Sequence, residues 1–314
     1  MAAWEAVLFT IFNSFSLVLG SFANFLVIIS FILFSSVREG TSLFLISLSV
    51  ADFLVCTVYQ PFLVYRFNHP DQNKFYVLTQ SFLGYCLFTA SLNGLLTVTF
   101  DRFVTIYFPY RYMVWITESN TALLIKLSWV VSIVMGILNA TSYTGVKFVA
   151  QVYTTAIIVV PILYGVIYNE ARKQARRLTE RSTAGTSVLP RGHHRLIGKA
   201  TTGVGVVLVT TLICWLPVIL FPTFTGSQEA DGTISNAMMW CFTAGCANSC
   251  INPFIYFYKF HSFRRNIKKL FHRISPNINR HDTRKVYPSH DPNRLETFPR
   301  TAWTVIDVPT AATV

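Results

Sequence analysis

The stretch that decides the fold is residues 6–37, AVLFTIFNSFSLVLGSFANFLVIISFILFSSV, which contains no charged side chain. A bilayer span needs about 20 predominantly apolar residues, whereas helices of soluble proteins average about 11–12 residues. A run of this length is therefore too long for a buried helix of a soluble domain. The stretch predicts a helix that crosses a membrane.

Six further runs along the chain have the same character. One of them, Gly40–Tyr65, is interrupted only by Asp52. The other five are free of charge: Phe75–Phe100, Leu127–Val146, Phe148–Asn169, Ala200–Gln228 and Gly232–Tyr258. Only 13% of all residues are charged, about half the usual share in a soluble protein. We therefore predict an all-α membrane protein with a bundle of seven transmembrane helices, which excludes a soluble or a largely disordered chain.

The basic residues predict the orientation of the bundle. Of the 26 Lys and Arg residues, only Arg66, Lys74 and Lys147 lie in the even-numbered connections, and the other 23 lie in the odd-numbered connections and the tail. Basic loops stay on the cytoplasmic side. We expect a multi-pass protein of the plasma membrane with its N-terminus outside and its C-terminus in the cytoplasm. The net charge of +12 then faces anionic lipid and a protein partner, not nucleic acid.

The composition divides the chain into four segments. Residues 1–7 form a short extracellular N-terminus, and 8–258 form the seven-helix domain. Apolar and basic residues alternate at helical spacing over 259–274, which predicts a short amphipathic cytoplasmic helix on the inner leaflet, held by membrane lipid. Residues 275–314 are polar and contain proline, so we expect a disordered cytoplasmic tail.

Asp52 is the one carboxylate placed inside a predicted span. A charged side chain at the centre of a bilayer costs about 2.5–3.5 kcal/mol, so it indicates a functional site. Hydroxyl and amide side chains lie at depths in other spans that allow them to converge on it: Asn24, Ser91, Asn248, Ser249 and Asn252. Two interpretations stay open together, namely hydrogen bonds between helices and a site for a hard cation such as sodium.

Other motifs lie at the end of the third span and inside the last three spans. Asp101-Arg102 ends the third span, where a charged pair either has a function or simply marks the end of a helix. Pro161, Pro217 and Pro253 lie inside the last three spans and each removes a backbone hydrogen bond.

In combination, these residues resemble a rhodopsin-like (class A) G-protein-coupled receptor over residues 8 to about 274. One match falls in each span: Asn24, Leu48-Ser49-Val50-Ala51-Asp52, Asp101-Arg102-Phe103, Trp129, Pro161, Cys214-Trp215-Leu216-Pro217 and Asn252-Pro253-Phe254-Ile255-Tyr256. Phe263 follows in the amphipathic segment.

The resemblance implies a role for each matching residue. Asp52, Ser91, Asn248, Ser249 and Asn252 would form a pocket for an allosteric Na⁺ ion. Arg102 and Tyr110 would contact a heterotrimeric G protein. The residues that change conformation on activation would be Asp101, Arg102, Trp215, Pro217, Pro161, Pro253 and Tyr256. Receptor kinases and arrestin would act on hydroxyl residues of the tail.

The resemblance also implies a ligand pocket. It would be lined by Tyr59, Tyr85, Phe88, Tyr153, Trp215, Ile219, Met238 and Phe242, a mostly apolar set that suits a lipid-like or neutral small molecule. The aspartate that holds amine ligands in the family is replaced by Gly84, which disfavours a protonated amine. Cys246 occupies the position of the retinal-binding lysine, so a retinal cofactor is excluded and no other cofactor is expected.

Further departures concern the disulfide and the helix ends. The cysteine usual at the top of the third span is Val77, and all six cysteines fall inside spans, so no external disulfide is expected. Melanocortin-, cannabinoid- and lysolipid-type receptors also lack that bridge, which suggests kinship. Thr211 replaces a phenylalanine, and Ile197 replaces the acid that often locks Arg102. We therefore predict raised basal signalling.

Three other functions were weighed against a receptor. A transporter or channel usually shows repeated halves around broken helices, and no such repeat is present. A receptor-like scaffold that does not signal is the second alternative. An enzyme is the least favoured alternative, because no nucleophile–base pair or metal cluster appears in the sequence.

Overall fold

The computed structural model describes residues 3–34, 40–183, 191–225, 235–259 and 261–274. Within these ranges every regular element is a helix. The elements are α1 (Ala3–Phe34), α2 (Gly40–Leu54), a π-helical turn (Val55–Tyr59), α3 (Gln60–Asn68), α4 (Lys74–Tyr107), α5 (Tyr112–Trp115), α6 (Glu118–Thr141), α7 (Tyr143–Thr183), α8 (Arg191–Thr225), α9 (Asn236–Lys259) and α10 (His261–Ile274). The prediction of an all-α fold is confirmed.

Six helical stretches are long and apolar enough to cross a membrane: α1, Ser42–Asn68, α4, α6, Ala150–Gln174 of α7 and Thr202–Phe221 of α8. The Ser42–Asn68 stretch runs through α2, the π turn and α3 without a break. Helix α9 has 24 residues, about 36 Å at 1.5 Å per residue, which also suffices for a bilayer. Its polar residues, including Asn248, Ser249 and Asn252, make it less apolar than the others.

The surface of α1 shows which solvent surrounds the bundle. The helix exposes the large apolar side chains of Phe15, Val18 and Phe22. Its buried side instead carries polar residues such as Asn13 and Asn24. Apolar side chains outside and polar side chains inside are the reverse of a soluble helix and suit a lipid environment. The exposed surface therefore agrees with a membrane protein.

Local signals in the sequence set several helix ends. The side chain of Asn73 accepts a hydrogen bond from the Tyr76 backbone N–H at 2.8 Å and begins α4, and Thr117 begins α6 in the same way. Pro109 follows the end of α4. Only Ser142 separates α6 from α7.

One of the predicted segments differs from the helix bounds. Helix α1 begins at Ala3, so most of the predicted N-terminal segment 1–7 is already helical. Residues up to Arg273 form one compact unit. The predicted tail, 275–314, lies outside the described residues, and its disorder stays a prediction.

The buried apolar side chains form two clusters. One contains Phe9, Tyr59, Phe88, Trp215 and Phe242, and we call the half of the bundle around it the outer half, after the predicted orientation. The other cluster, in the inner half, joins the ends of α1, α2, α4, α7, α8 and α9 with α10. Helix α4 contacts α2, α6, α7 and α8, and it is the central helix of the bundle.

Candidate functional site: a buried carboxylate between an aromatic core and a charged inner end

Asp52 is the centre of a polar cluster in the middle of the bundle. Its carboxylate is fully buried. Oδ1 accepts hydrogen bonds from the hydroxyls of Ser91 and Ser249, both at 2.7 Å, and Oδ2 accepts one from Asn252 Nδ2 at 2.8 Å. The structure thus brings α2, α4 and α9 together at one carboxylate, and three of the residues predicted to converge on it do so.

Asn24 and Asn248 lie close by but do not bind Asp52. Asn24 Nδ2 donates to the backbone oxygen of Ser249 at 3.0 Å and so ties α1 to α9. Asn248 Oδ1 instead accepts from the Thr211 hydroxyl at 3.0 Å, which links α9 to α8. Hydrogen bonds to this cluster therefore come from five helices.

A small cavity lies beside the carboxylate. It is lined by Leu48, Ser91, Leu92, Leu95, Thr211, Trp215, Asn248 and Asn252. The volume of the cavity is about 10 Å³, which is room for roughly one water molecule or one small ion. Asp52 itself does not line the cavity, but Ser91 and Asn252, which donate hydrogen bonds to it, do. The Oδ1 atom of Asn252 is buried and has no hydrogen-bond partner among the described residues.

These groups fit a hard monovalent cation. Carboxylate, hydroxyl and amide oxygens are the ligands such ions take, and the open acceptor of Asn252 needs a partner. Among the described residues, no Lys or Arg forms an ion pair with Asp52. The negative charge nearest the cavity is therefore available to an ion.

The predicted ligand-pocket residues meet in the outer half as a contiguous aromatic cluster. Phe88 packs edge-to-face on Tyr59 and on Trp215, with ring centroids 4.8 Å apart in both pairs. Tyr153 lies 5.7 Å from Trp215, and its hydroxyl is 2.7 Å from that of Thr89. Phe242 belongs to the same cluster, and Tyr85 and Met238 pack against it, whereas Ile219 is half-buried outside it.

Gly84 lies at the wall of this aromatic cluster. A Cβ atom at that position would stand 2.6 Å from Cε2 of Tyr59, far inside van der Waals contact. The Tyr59 ring, which the π turn places here, therefore occupies the space of any side chain on α4 at this point.

The inner end carries the charged pair. Arg102 Nη2 lies 2.6 Å from Asp101 Oδ2. The hydroxyl of Tyr112, from α5, donates to Asp101 Oδ1 at 2.9 Å. Both members of the pair are buried.

The other predicted switch residues are distributed over both halves of the bundle. Tyr256 is buried in the inner cluster, and Pro161, Pro217 and Pro253 lie inside α7, α8 and α9. Tyr110 lies between α4 and α5 and is 98% exposed. The side chain of Ile197 lies outside the described residues.

Sequence reasoning missed three groups of residues. Thr211 was noted as a departure and not as a site residue, and the bond from Tyr112 to Asp101 was not anticipated. A second polar cluster joins Asn13, Ser16, Gln60 and Thr243 in the outer half. Asparagine and glutamine in apolar runs were the available signal for that cluster.

All six cysteines of the chain are free thiols. The side chain of Asn139, in the glycosylation pattern Asn139-Ala140-Thr141, is buried and forms a hydrogen bond with Tyr85. An acceptor buried in this way is not accessible for glycosylation.

Comparison with known proteins gives the family. The 7 transmembrane receptor (rhodopsin family) pattern matches residues 23–148 and 137–256. The histamine H2 receptor of Cavia porcellus is 28% identical over 275 residues, which cover 78% of this chain and 74% of that receptor. The human histamine H2 receptor is 27% identical over the same shares. Human trace amine-associated receptor 6 is 28% identical over 309 residues, 84% of this chain and 85% of that receptor. The chain belongs to the rhodopsin family of seven-transmembrane receptors and is a G-protein-coupled receptor.

Proposed function

We propose that this receptor responds to an apolar, uncharged small molecule that binds in the outer half. The observation that carries the proposal is the aromatic cluster of Tyr59, Phe88, Tyr153, Trp215 and Phe242. Burial of the ligand's apolar surface against these rings drives binding. A charged ligand in such a site needs a buried partner of opposite charge.

An amine ligand is not expected, although the similar receptors are named for amines. In the receptors that this chain resembles, the carboxylate that binds an amine lies at the position of Gly84. The Tyr59 ring occupies the space of a side chain there. The described carboxylates of the outer half, Glu5 and Asp71, lie near helix ends, and Asp71 is exposed.

At the inner end we propose that Arg102 and Tyr110 contact a heterotrimeric G protein. Arg102 is held by Asp101 in this conformation, and Tyr110 is already exposed. Ligand binding next to Trp215 favours the conformation in which Arg102 leaves Asp101. The ligand shifts this equilibrium by as much as its affinities for the two conformations differ.

We further propose that a sodium ion binds beside Asp52. When bound, the ion supplies positive charge next to a buried carboxylate. Ser91, Asn252 and Asn248 offer oxygen atoms to it, and Ser249 holds Asp52 in place. Since these groups come from different helices, the ion favours the conformation in which they converge.

The proposed location is the plasma membrane, with the N-terminus outside. The excess of basic residues in the odd-numbered connections supports this orientation. Receptor kinases and arrestin are proposed partners of the cytoplasmic tail, and anionic lipid is a proposed partner of α10.

The ligand class is tested with two compound libraries, one of protonated amines and one of neutral apolar molecules. Cells that express the receptor report G-protein activation, with Tyr153→Ala as the pocket variant and Tyr258→Ala as its control, since Tyr258 is exposed. We expect active compounds only in the neutral library, and a loss of their effect in Tyr153→Ala alone. Activation by an amine that Tyr153→Ala abolishes would contradict the proposed ligand class.

A further inference from the structure

The hydroxyl of Thr211 holds an unusual position in the polar cluster. It lies 2.9 Å from the backbone oxygen of Val207 and 3.0 Å from Asn248 Oδ1. A threonine hydroxyl has one proton, so it cannot donate fully to both oxygens at once. Thr211 is buried and lines the cavity beside Asp52.

The Asn248 amide can resolve this competition by a half-turn about its terminal bond. In the turned orientation Asn248 Nδ2 donates to the Thr211 hydroxyl oxygen, whose proton stays on Val207. The Oδ1 atom of Asn248 then faces the cavity, next to the open Oδ1 of Asn252. Both orientations use Thr211, and only the turned one offers a second amide oxygen to a cation.

We propose that Thr211 is a positioning residue of the cation site and couples its occupation by Na⁺ to helix α8. This inference rests on the proposed sodium site. The Thr211 hydroxyl accepts the Asn248 amide hydrogen when the ion is bound. Groups on α2, α4 and α9 then surround the ion, and Thr211 of α8 holds one of them, Asn248, in place. Movement of α8 away from α9 removes the acceptor, and the affinity for the ion falls.

The test measures thermal unfolding of the purified full chain in detergent. Tm is followed as NaCl replaces choline chloride at constant ionic strength, which separates sodium from general salt effects. The variants are Thr211→Val, which keeps the shape and removes the hydroxyl, Thr211→Ser, which keeps the hydroxyl, and Asp52→Asn. Thr210→Val is the matched control, because the Thr210 hydroxyl bonds only its own helix, to Val206 O at 2.9 Å.

We expect Tm of the unmodified chain to rise with NaCl and the rise to disappear in Asp52→Asn. Thr211→Val should move the midpoint of the rise to about tenfold higher NaCl, the effect of one lost hydrogen bond. Thr211→Ser and Thr210→Val should keep the original midpoint. In a chain that already carries Asn248→Ala, Thr211→Val should add no further shift.

Each other outcome has a definite meaning. If the rise of Tm with NaCl is lost in Asp52→Asn but its midpoint is unchanged in Thr211→Val, the role of Thr211 is overturned and the sodium site is retained. No sodium-specific rise in the unmodified chain overturns both. An equal shift in Thr210→Val shows a general effect of hydroxyl loss on α8 and also overturns the inference. Since Tm requires no G protein, these outcomes are independent of signalling.

Discussion

Gly84 lacks a side chain, and the ring of Tyr59 occupies the space in front of it. The Tyr59 ring can lie here only because residue 84 has no side chain. The outer half therefore differs from a receptor site in which α4 carries a carboxylate at this position. Thr211 is a second such case, since its hydroxyl bonds Asn248 across the boundary of α8 and α9. At both positions a small substitution would change a buried contact, of Tyr59 in the first case and of Asn248 in the second.

Gly84→Ala should destabilise the fold. The new methyl group collides with a buried ring that has little room to move, and overpacking of this kind costs about 1–3 kcal/mol. Thermal unfolding of the purified chain should show a lower Tm. Gly165→Ala is the control, because nothing lies within 4 Å of the added Cβ there and alanine favours the helix. Equal Tm values for the two variants would contradict the close packing of Tyr59 on Gly84.

Among the elements, α5 and α10 are short helices whose position depends on a few contacts. Helix α5 has four residues, and Tyr112 ties it to Asp101 of α4. Helix α10 buries Phe263, Ile267 and Leu270, and its exposed side includes Lys268 and Lys269. The exposed basic side agrees with a helix that lies on a lipid surface.

Tyr112→Phe should raise basal G-protein activation. The hydroxyl stabilises Asp101 where it holds Arg102, and a hydrogen bond to a charged acceptor contributes about 1.5–3 kcal/mol. Its loss shifts the population toward the conformation with Arg102 released. Tyr107→Phe, whose ring packs on Phe103, is the control for the loss of a tyrosine hydroxyl in this region. Basal activation that is unchanged, or lowered, in Tyr112→Phe at equal surface expression would count against this role.

Phe263→Ala should weaken the attachment of α10. The Phe263 ring stacks on Phe31 with centroids 6.1 Å apart and meets Phe257 edge-on. Removal of a buried phenylalanine side chain costs about 3–5 kcal/mol when the cavity does not collapse. A clearly lower Tm is expected, whereas Phe271→Ala should change it little, since that ring is 57% exposed. The reverse order of the two variants would show that α10 is packed differently.

The sequence predicted the elements better than the contacts between them. Six spans follow from charge-free runs and a seventh from a run interrupted only by Asp52, and the polar cluster follows from hydroxyl and amide residues at depths that allow them to converge. The π turn at Val55–Tyr59 was not predicted, since no composition pattern marks a widened turn. The contact of Tyr59 with Gly84 depends on that turn. The bond from Thr211 to Asn248 depends on the rotation of two packed helices, which spacing along one chain does not fix.

At the scale of the whole molecule, the bundle has an apolar aromatic cluster at one end and a charged pair at the other. The polar cluster around Asp52 lies between them, and Trp215 belongs to the aromatic cluster and also lines the polar cavity. A change near Trp215 thus alters the cavity that Asn248 and Asn252 also line, and Asn252 donates to Asp52. This continuity is the physical basis on which a ligand in the outer half can shift the inner end.

Basal signalling through Arg102 is the most direct test of the receptor account. G-protein activation sensors are expressed in cells with the unmodified chain, with Arg102→Ala, with the exposed neighbour Arg111→Ala as control, or with empty vector, all matched for surface expression. We expect activation above vector without any added ligand for the unmodified chain and for Arg111→Ala, and a return to the vector level for Arg102→Ala. Activation that is equal in Arg102→Ala and the unmodified chain, or absent from both, would contradict it.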